Sequence, residues 1–175
     1  MAGRRLVFDG GTAPLGGPWG ELFDRDTATS VAVRNPYGGV RHLGGFVPDM
    51  YGLDGWVDAD RGLLWLTADR SPAIAVLDLS VDEVTATVGL AREQDSGLSW
   101  TVFAQAPDGA LLVAYENGVV AFDPDGRPRW SHEHADLSLH LGRVDADAVW
   151  LEYLLPHPRH RGVRLGLADG TPTPW

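Results

Sequence analysis

Trp100-Thr101-Val102-Phe103-Ala104-Gln105-Ala106-Pro107-Asp108-Gly109-Ala110-Leu111-Leu112-Val113-Ala114-Tyr115-Glu116-Asn117-Gly118-Val119-Val120-Ala121-Phe122-Asp123-Pro124-Asp125-Gly126-Arg127-Pro128-Arg129-Trp130-Ser131-His132 alternates short apolar runs with turn signals. Pro107-Asp108-Gly109 and Asp125-Gly126 are the residue types that close tight turns. Glu116-Asn117-Gly118 holds an Asn-Gly pair, which favours a type I′ hairpin turn because both central residues there take φ > 0. Four strands follow from this punctuation: Trp100 onward, Ala110–Tyr115, Val119–Phe122 and Pro128 onward. The unit is an antiparallel meander of about the length of one propeller blade.

The pattern returns on both sides. Val57-Asp58-Ala59-Asp60-Arg61-Gly62-Leu63-Leu64-Trp65-Leu66 reappears in shorter form as Val144-Asp145-Ala146-Asp147-Ala148-Val149-Trp150-Leu151, and Ala106–Ala114 is a looser copy between them. Gly162, Asp169-Gly170 and Trp175 repeat the order of Gly118, Asp125-Gly126 and Trp130. A motif repeated at a steady period is stacked on its own copies, since one copy cannot bury its apolar face. Further strands are expected at Leu63–Leu66, Ala73–Leu79, Ala148–Leu154 and Val163–Leu167. Convincing helical periodicity is missing, and Ser80–Val84 reads as a hairpin connection rather than a helical turn.

The chain of 175 residues is expected to form one β-repeat domain with units at roughly 1-50, 51-92, 97-134 and 136-175, or about 44 residues per unit. Closure of a propeller takes about four blades. Residues 1-50 are therefore expected to supply a sheet; the alternative is an open array that closes by dimerising.

Gly118-Val119-Val120-Ala121-Phe122-Asp123-Pro124-Asp125-Gly126-Arg127-Pro128-Arg129-Trp130 resembles the repeat of quinoprotein-like propellers, with its glycine, its strand ending in Asp, its Gly turn and its tryptophan. Ile74-Ala75-Val76-Leu77-Asp78 followed by Val84-Thr85-Ala86-Thr87-Val88-Gly89 is similar to a YVTN-like blade. The resemblance implies an all-β fold of repeated four-stranded antiparallel meanders, a small β-propeller or propeller-like array. It does not extend to the quinone: quinoprotein dehydrogenases are far longer, are exported, and hold their cofactor with residues absent here. No cofactor is expected.

Composition narrows the function classes. Cysteine is absent, which excludes disulfides, thiolate zinc sites and a cysteine nucleophile. All 14 basic residues are arginine, so Schiff-base chemistry and a phosphate-loop lysine are excluded too. The usage suits a GC-rich bacterial source. A net charge of −10 repels phosphate backbones and argues against nucleic acid as a partner. The apolar runs are too short for a membrane span, and the N-terminal residues are unlike a signal peptide, so a cytoplasmic protein without a membrane partner is expected.

Candidate site residues fall into three groups. His132-Glu133-His134 puts two imidazoles on one side of a strand, with His140 following; as metal ligands the three lack an identifiable partner, and no metal is expected. Leu155-Pro156-His157-Pro158-Arg159-His160-Arg161-Gly162 is the one strongly basic segment and replaces a tight hairpin turn of the preceding unit. Its His157, Arg159, His160 and Arg161, with Arg70 from the equivalent turn Asp69-Arg70-Ser71-Pro72, suit a carboxylate or phosphate. Trp19 and Trp56 lie in Gly/Pro-rich stretches and are candidates for partner contact or sugar stacking, whereas Trp65, Trp100, Trp130, Trp150 and Trp175 are expected in the core. Asp58, Asp60, Asp145 and Asp147 read as turn formers rather than calcium ligands. No Gly-x-Ser-x-Gly elbow is present.

The function expected is a non-catalytic cytoplasmic binding module, monomer or homodimer, presenting loops from one propeller face to a protein or anionic partner. Immunity proteins that mask toxins offer an analogy. The alternative is an enzyme or sensor acting on a small anionic or sugar ligand in a pocket on that face.

Overall fold

Aspartate-led turns fix where the strands begin. Asp108 Oδ1 accepts the Ala110 amide at 3.0 Å, and Gly109 follows it with φ of 88°. The same device recurs where Asp58 accepts the amides of Asp60 and Arg61, and where Asp125 accepts that of Arg127. At Asp169 it is doubled: the carboxylate accepts the Thr171 amide at 3.0 Å and the Thr171 hydroxyl at 2.7 Å, with Gly170 at φ of 70°. Bonding to the local backbone explains Asp58, Asp108, Asp125 and Asp169, whereas the Asp145 and Asp147 carboxylates, expected in the same role, accept from the Trp150 indole and the Arg164 guanidinium instead.

A computed structural model of the chain describes residues 4–7, 13–14, 21–26, 30–34, 40–43, 53–58, 60–68, 73–78, 83–92, 100–135, 139–155 and 158–175. It is all-β, with no helix among these residues. The first sheet is β2 (Ala13–Pro14), β3 (Glu21–Asp26), β4 (Ser30–Arg34) and β5 (Val40–Leu43), in that order. The second has the order β1-β6-β7-β8-β9: β1 (Arg4–Val7) lies antiparallel to β6 (Leu53–Asp58), followed by β7 (Leu63–Ala68), β8 (Ala73–Asp78) and β9 (Glu83–Gly89). Both belong to one compact unit, Met1–Gly89. In it Trp65, Leu64, Leu66, Ile74 and Leu77 are fully buried.

The second unit, Leu90–Trp175, holds the other two sheets. The third is β10 (Thr101–Gln105), β11 (Leu111–Tyr115), β12 (Gly118–Phe122) and β13 (Pro128–Glu133); the fourth is β14 (Leu139–Val144), β15 (Ala148–Tyr153), β16 (Gly162–Gly166) and β17 (Pro172–Pro174). Neighbours in each sheet are neighbours in sequence and pair antiparallel, the meander that the turn signals predict.

These two sheets share a core. Leu112, Ala114, Val119 and Ala121 of the third sheet cluster with Leu139, Val149, Leu151 and Leu165 of the fourth. Period-two alternation explains the set, because each strand sends every second side chain to that face. Every residue of β11 and β12 is buried, on both faces. Trp130 completes the contact: its indole N–H donates to the Leu167 carbonyl at 2.8 Å, and a Cβ placed on Gly170 would lie 2.7 Å from its ring.

The structure departs from the sequence reading at several points. β1, from the expected unit 1-50, pairs with β6, so the second sheet has five strands rather than four. Tyr115 pairs with Gly118, so the turn residues are Glu116 and Asn117 rather than Asn117 and Gly118. Gly118 serves close approach instead, since a Cβ there would strike the His132 carbonyl and the Tyr115 ring. Trp150 and Trp175 do not enter the core between sheets. They lie half-buried on the opposite face of the fourth sheet, ring centroids 4.8 Å apart and edge-on. Trp150 donates to Asp145 at 2.6 Å and is flanked by the guanidinium groups of Arg143 and Arg164, at 4.5 and 5.7 Å from its centroid. Arginine stacking lets a strand position that is apolar in the third sheet, Val113, be a tryptophan facing water here.

The outermost strand of the fourth sheet carries two prolines. Thr171 and Trp175 direct their backbone groups to β16, through Gly166 N–H to Thr171 O and the reciprocal Gly162–Trp175 bonds, so Pro172 and Pro174 face away from the sheet. Gly170→Ala tests the seat of Trp130. The substitution strains a left-handed residue and pushes on the ring, and a loss of about 1–3 kcal/mol in urea denaturation is expected; a loss under about 0.5 kcal/mol would show that the ring is not held there.

Candidate functional site

The hairpin connections at one end of the second unit differ sharply in the two sheets. In the third sheet it is the pair Glu116-Asn117, and burying a carboxylate there demands a partner. Arg92 supplies it: its guanidinium donates to both Glu116 oxygens at 3.1 and 3.0 Å, with both side chains only 2% exposed. A second guanidinium nitrogen donates to Thr101 Oγ1 at 2.8 Å, and the Trp100 amide reaches Glu116 Oε2 at 3.4 Å. The Tyr115 ring lies 5.7 Å from the guanidinium carbon, and burial pushes its phenol above the ordinary range. This cluster is closed to solvent and pins residues 90–92 to the hairpin.

In the fourth sheet the same connection is the long segment between Tyr153 and Gly162. Its ends are tied by Tyr153 N–H to Arg161 O at 3.1 Å and by Arg161 N–H to Trp175 O at 2.6 Å. Leu154 and Leu155 stand out from it, 63% and 71% exposed. Beside them, Glu152, Tyr153, His160, Arg161 and Trp175 complete a cleft of about 470 Å³. Arg159, His160 and Arg161 are exposed. The Glu152 side chain lies over Gly142, where a Cβ would meet its carboxyl carbon at 2.6 Å, and its backbone pairs with His140. Trp175 Nε1 is buried above Gly162 with no acceptor among the described residues.

No protein-family model matches the chain, and no curated protein does. The reading of the site therefore rests on its own chemistry. Arg159, His160 and Arg161 share the β15–β16 connection; Arg70, His157 and Trp19 lie outside the described residues. Trp56 sits in β6, half-buried and paired with Trp65. His132 of β13 and His134, just past its end, have ring centroids 6.2 Å apart, while His140 is on β14 opposite Glu152. Among the described residues no three His, Asp or Glu side chains gather as a metal site, and no helix is long and apolar enough to cross a membrane.

Glu152, Tyr153, Leu154 and Trp175 in the cleft, and Arg92 with Glu116, were not singled out from sequence. Glu116 carried a usable signal: a lone acid in a two-residue turn between strands with no other charge must be paired if that turn is buried. Trp175 carried a weaker one, its repeat equivalence to Trp130, which suggested core instead.

Arg92→Ala leaves Glu116 buried without its cation, and an equilibrium unfolding loss of about 3–5 kcal/mol is expected. The double variant Arg92→Met/Glu116→Leu should recover most of it; a single-variant loss below about 1 kcal/mol would mean the pair is hydrated in solution. His132 gives a pH signature. Burial pushes its imidazole below the ordinary value of 6.5, against the opposing charge of Glu133. Folded His132 thus binds its proton more weakly than unfolded His132, so stability falls as pH drops from 6.5 towards the depressed value. Comparing the pH dependence of denaturation with that of His132→Gln, whose curve should be flatter in that window, checks the sign.

Proposed function

We propose that the chain is a propeller-like array of four-stranded sheets acting as a non-catalytic binding module, with the β15–β16 connection as its contact surface for a protein or anionic partner. The exposed Leu154–Leu155 pair beside Arg159, His160 and Arg161 carries this reading. Two adjacent aliphatic side chains in water cost solvation and gain by being covered, and surrounding cations select what covers them. Support for the array comes from the repeated meander and from the face-to-face packing of the third and fourth sheets in one unit. A cytoplasmic setting in a bacterium agrees with the composition.

The connection lies at a strand end, held by backbone bonds at its base, so its side chains can vary without disturbing the core. Leu154→Ser/Leu155→Ser should leave the unfolding midpoint within about 0.5 kcal/mol of the parent and weaken partner binding at least about tenfold. Cross-linking capture from the source cell followed by titration of the captured partner against both proteins measures this. Equal affinity for the two would place the contact elsewhere.

A further inference from the structure

The cleft at the β15–β16 connection offers groups of opposite character within one small volume. Glu152 is half-buried and, among the described residues, its carboxylate has no hydrogen-bond or ion-pair partner; the Arg161 guanidinium likewise has none. Trp175 contributes an aromatic wall, Leu154 and Leu155 an aliphatic one, and His160 stands at the rim. The volume of about 470 Å³ suits a small molecule or a single ring.

Charge matching restricts what fits. A plain anion satisfies Arg161 but faces the Glu152 carboxylate; a plain cation does the reverse. A carboxylate-protonated ligand gives Arg161 little. Both groups are answered by a molecule with a carboxylate for Arg161 and O–H donors for Glu152, held on a frame with apolar C–H faces for Trp175 and the leucines.

We propose that this cleft binds a sugar acid, a polyhydroxylated ring bearing one carboxylate. The carboxylate accepts from Arg161 and lies towards His160. Ring hydroxyls donate to Glu152, and the C–H face of the ring packs on Trp175 and Leu154. The inference rests on the β15–β16 connection being the contact surface and narrows its anionic ligand to this class.

The test is an NMR titration of the full chain with glucuronate, glucose, cyclohexanecarboxylate and glycine in parallel. Glucuronate is expected to bind saturably, shifting the amides of Glu152 and Arg161 and the Trp175 indole N–H, with the other three at least about tenfold weaker, because glucose lacks the carboxylate, cyclohexanecarboxylate the hydroxyls, and glycine both the hydroxyls and the apolar ring. Arg161→Ala and Glu152→Ala should each weaken glucuronate about tenfold or more, while an unshifted Trp130 indole resonance reports an intact fold. Cyclohexanecarboxylate binding as tightly as glucuronate would reduce the site to charge and apolar contact and overturn the assignment. Glycine binding more tightly would replace it with a zwitterion site. No saturable glucuronate binding would also sink it; if Leu154→Ser/Leu155→Ser still weakens the captured partner, the contact surface stands without the sugar acid, and if neither effect appears both readings fall.

Discussion

A carboxylate buried in a two-residue turn is the constraint from which the second unit is organised. Glu116 cannot move outward, because Tyr115 and Gly118 pair directly and both strands are buried along their length. Its charge must be answered inside, and Arg92 answers it from outside the sheet, at the point where the chain enters the unit. Thr101 and the Trp100 amide then complete the hydrogen bonding, so the entry segment, the first strand and the central hairpin are held by one polar cluster. Pairs of this kind add little net stability over apolar residues of the same size, but they penalise any arrangement that separates the partners.

The fourth sheet repeats the meander without that cluster. Its hairpin connection is long, open and cationic, and its outer face exchanges an aliphatic layer for Trp150 between Arg143 and Arg164. The same architecture thus yields a sealed end in one sheet and a cleft in the next. Glycine makes the cleft possible at two points: a Cβ on Gly162 would collide with the Leu151 carbonyl and crowd Trp175, and one on Gly142 would occupy the place of the Glu152 side chain.

Strand positions and turns were legible in sequence because they depend on local chemistry. Asp-Gly turns bond their own backbone, and alternation of apolar residues needs no knowledge of the rest of the chain. The expected strands at Ala73–Leu79, Ala148–Leu154 and Val163–Leu167 match β8, β15 and β16 to within a residue at each end. Which face of a strand meets another sheet is not local. Trp65 and Trp150 hold equivalent repeat positions, yet one is buried and the other is stacked between arginines. For the site, the basic loop was visible as a charge anomaly, whereas Glu152 and Trp175 join it only through register and the course of β17.

The two prolines of β17 reach beyond local geometry. An edge strand offers the N–H groups that point away from its sheet as a template for any passing strand. In β17 those groups belong to residues 172 and 174, and proline has none to give. The margin of the fourth sheet is therefore mute to strand addition: a growing fibril, a swapped hairpin or a peptide seeking to extend the sheet finds carbonyls but no donors. Association along this margin is left to side chains, which discriminate between partners in a way that a bare backbone ladder does not.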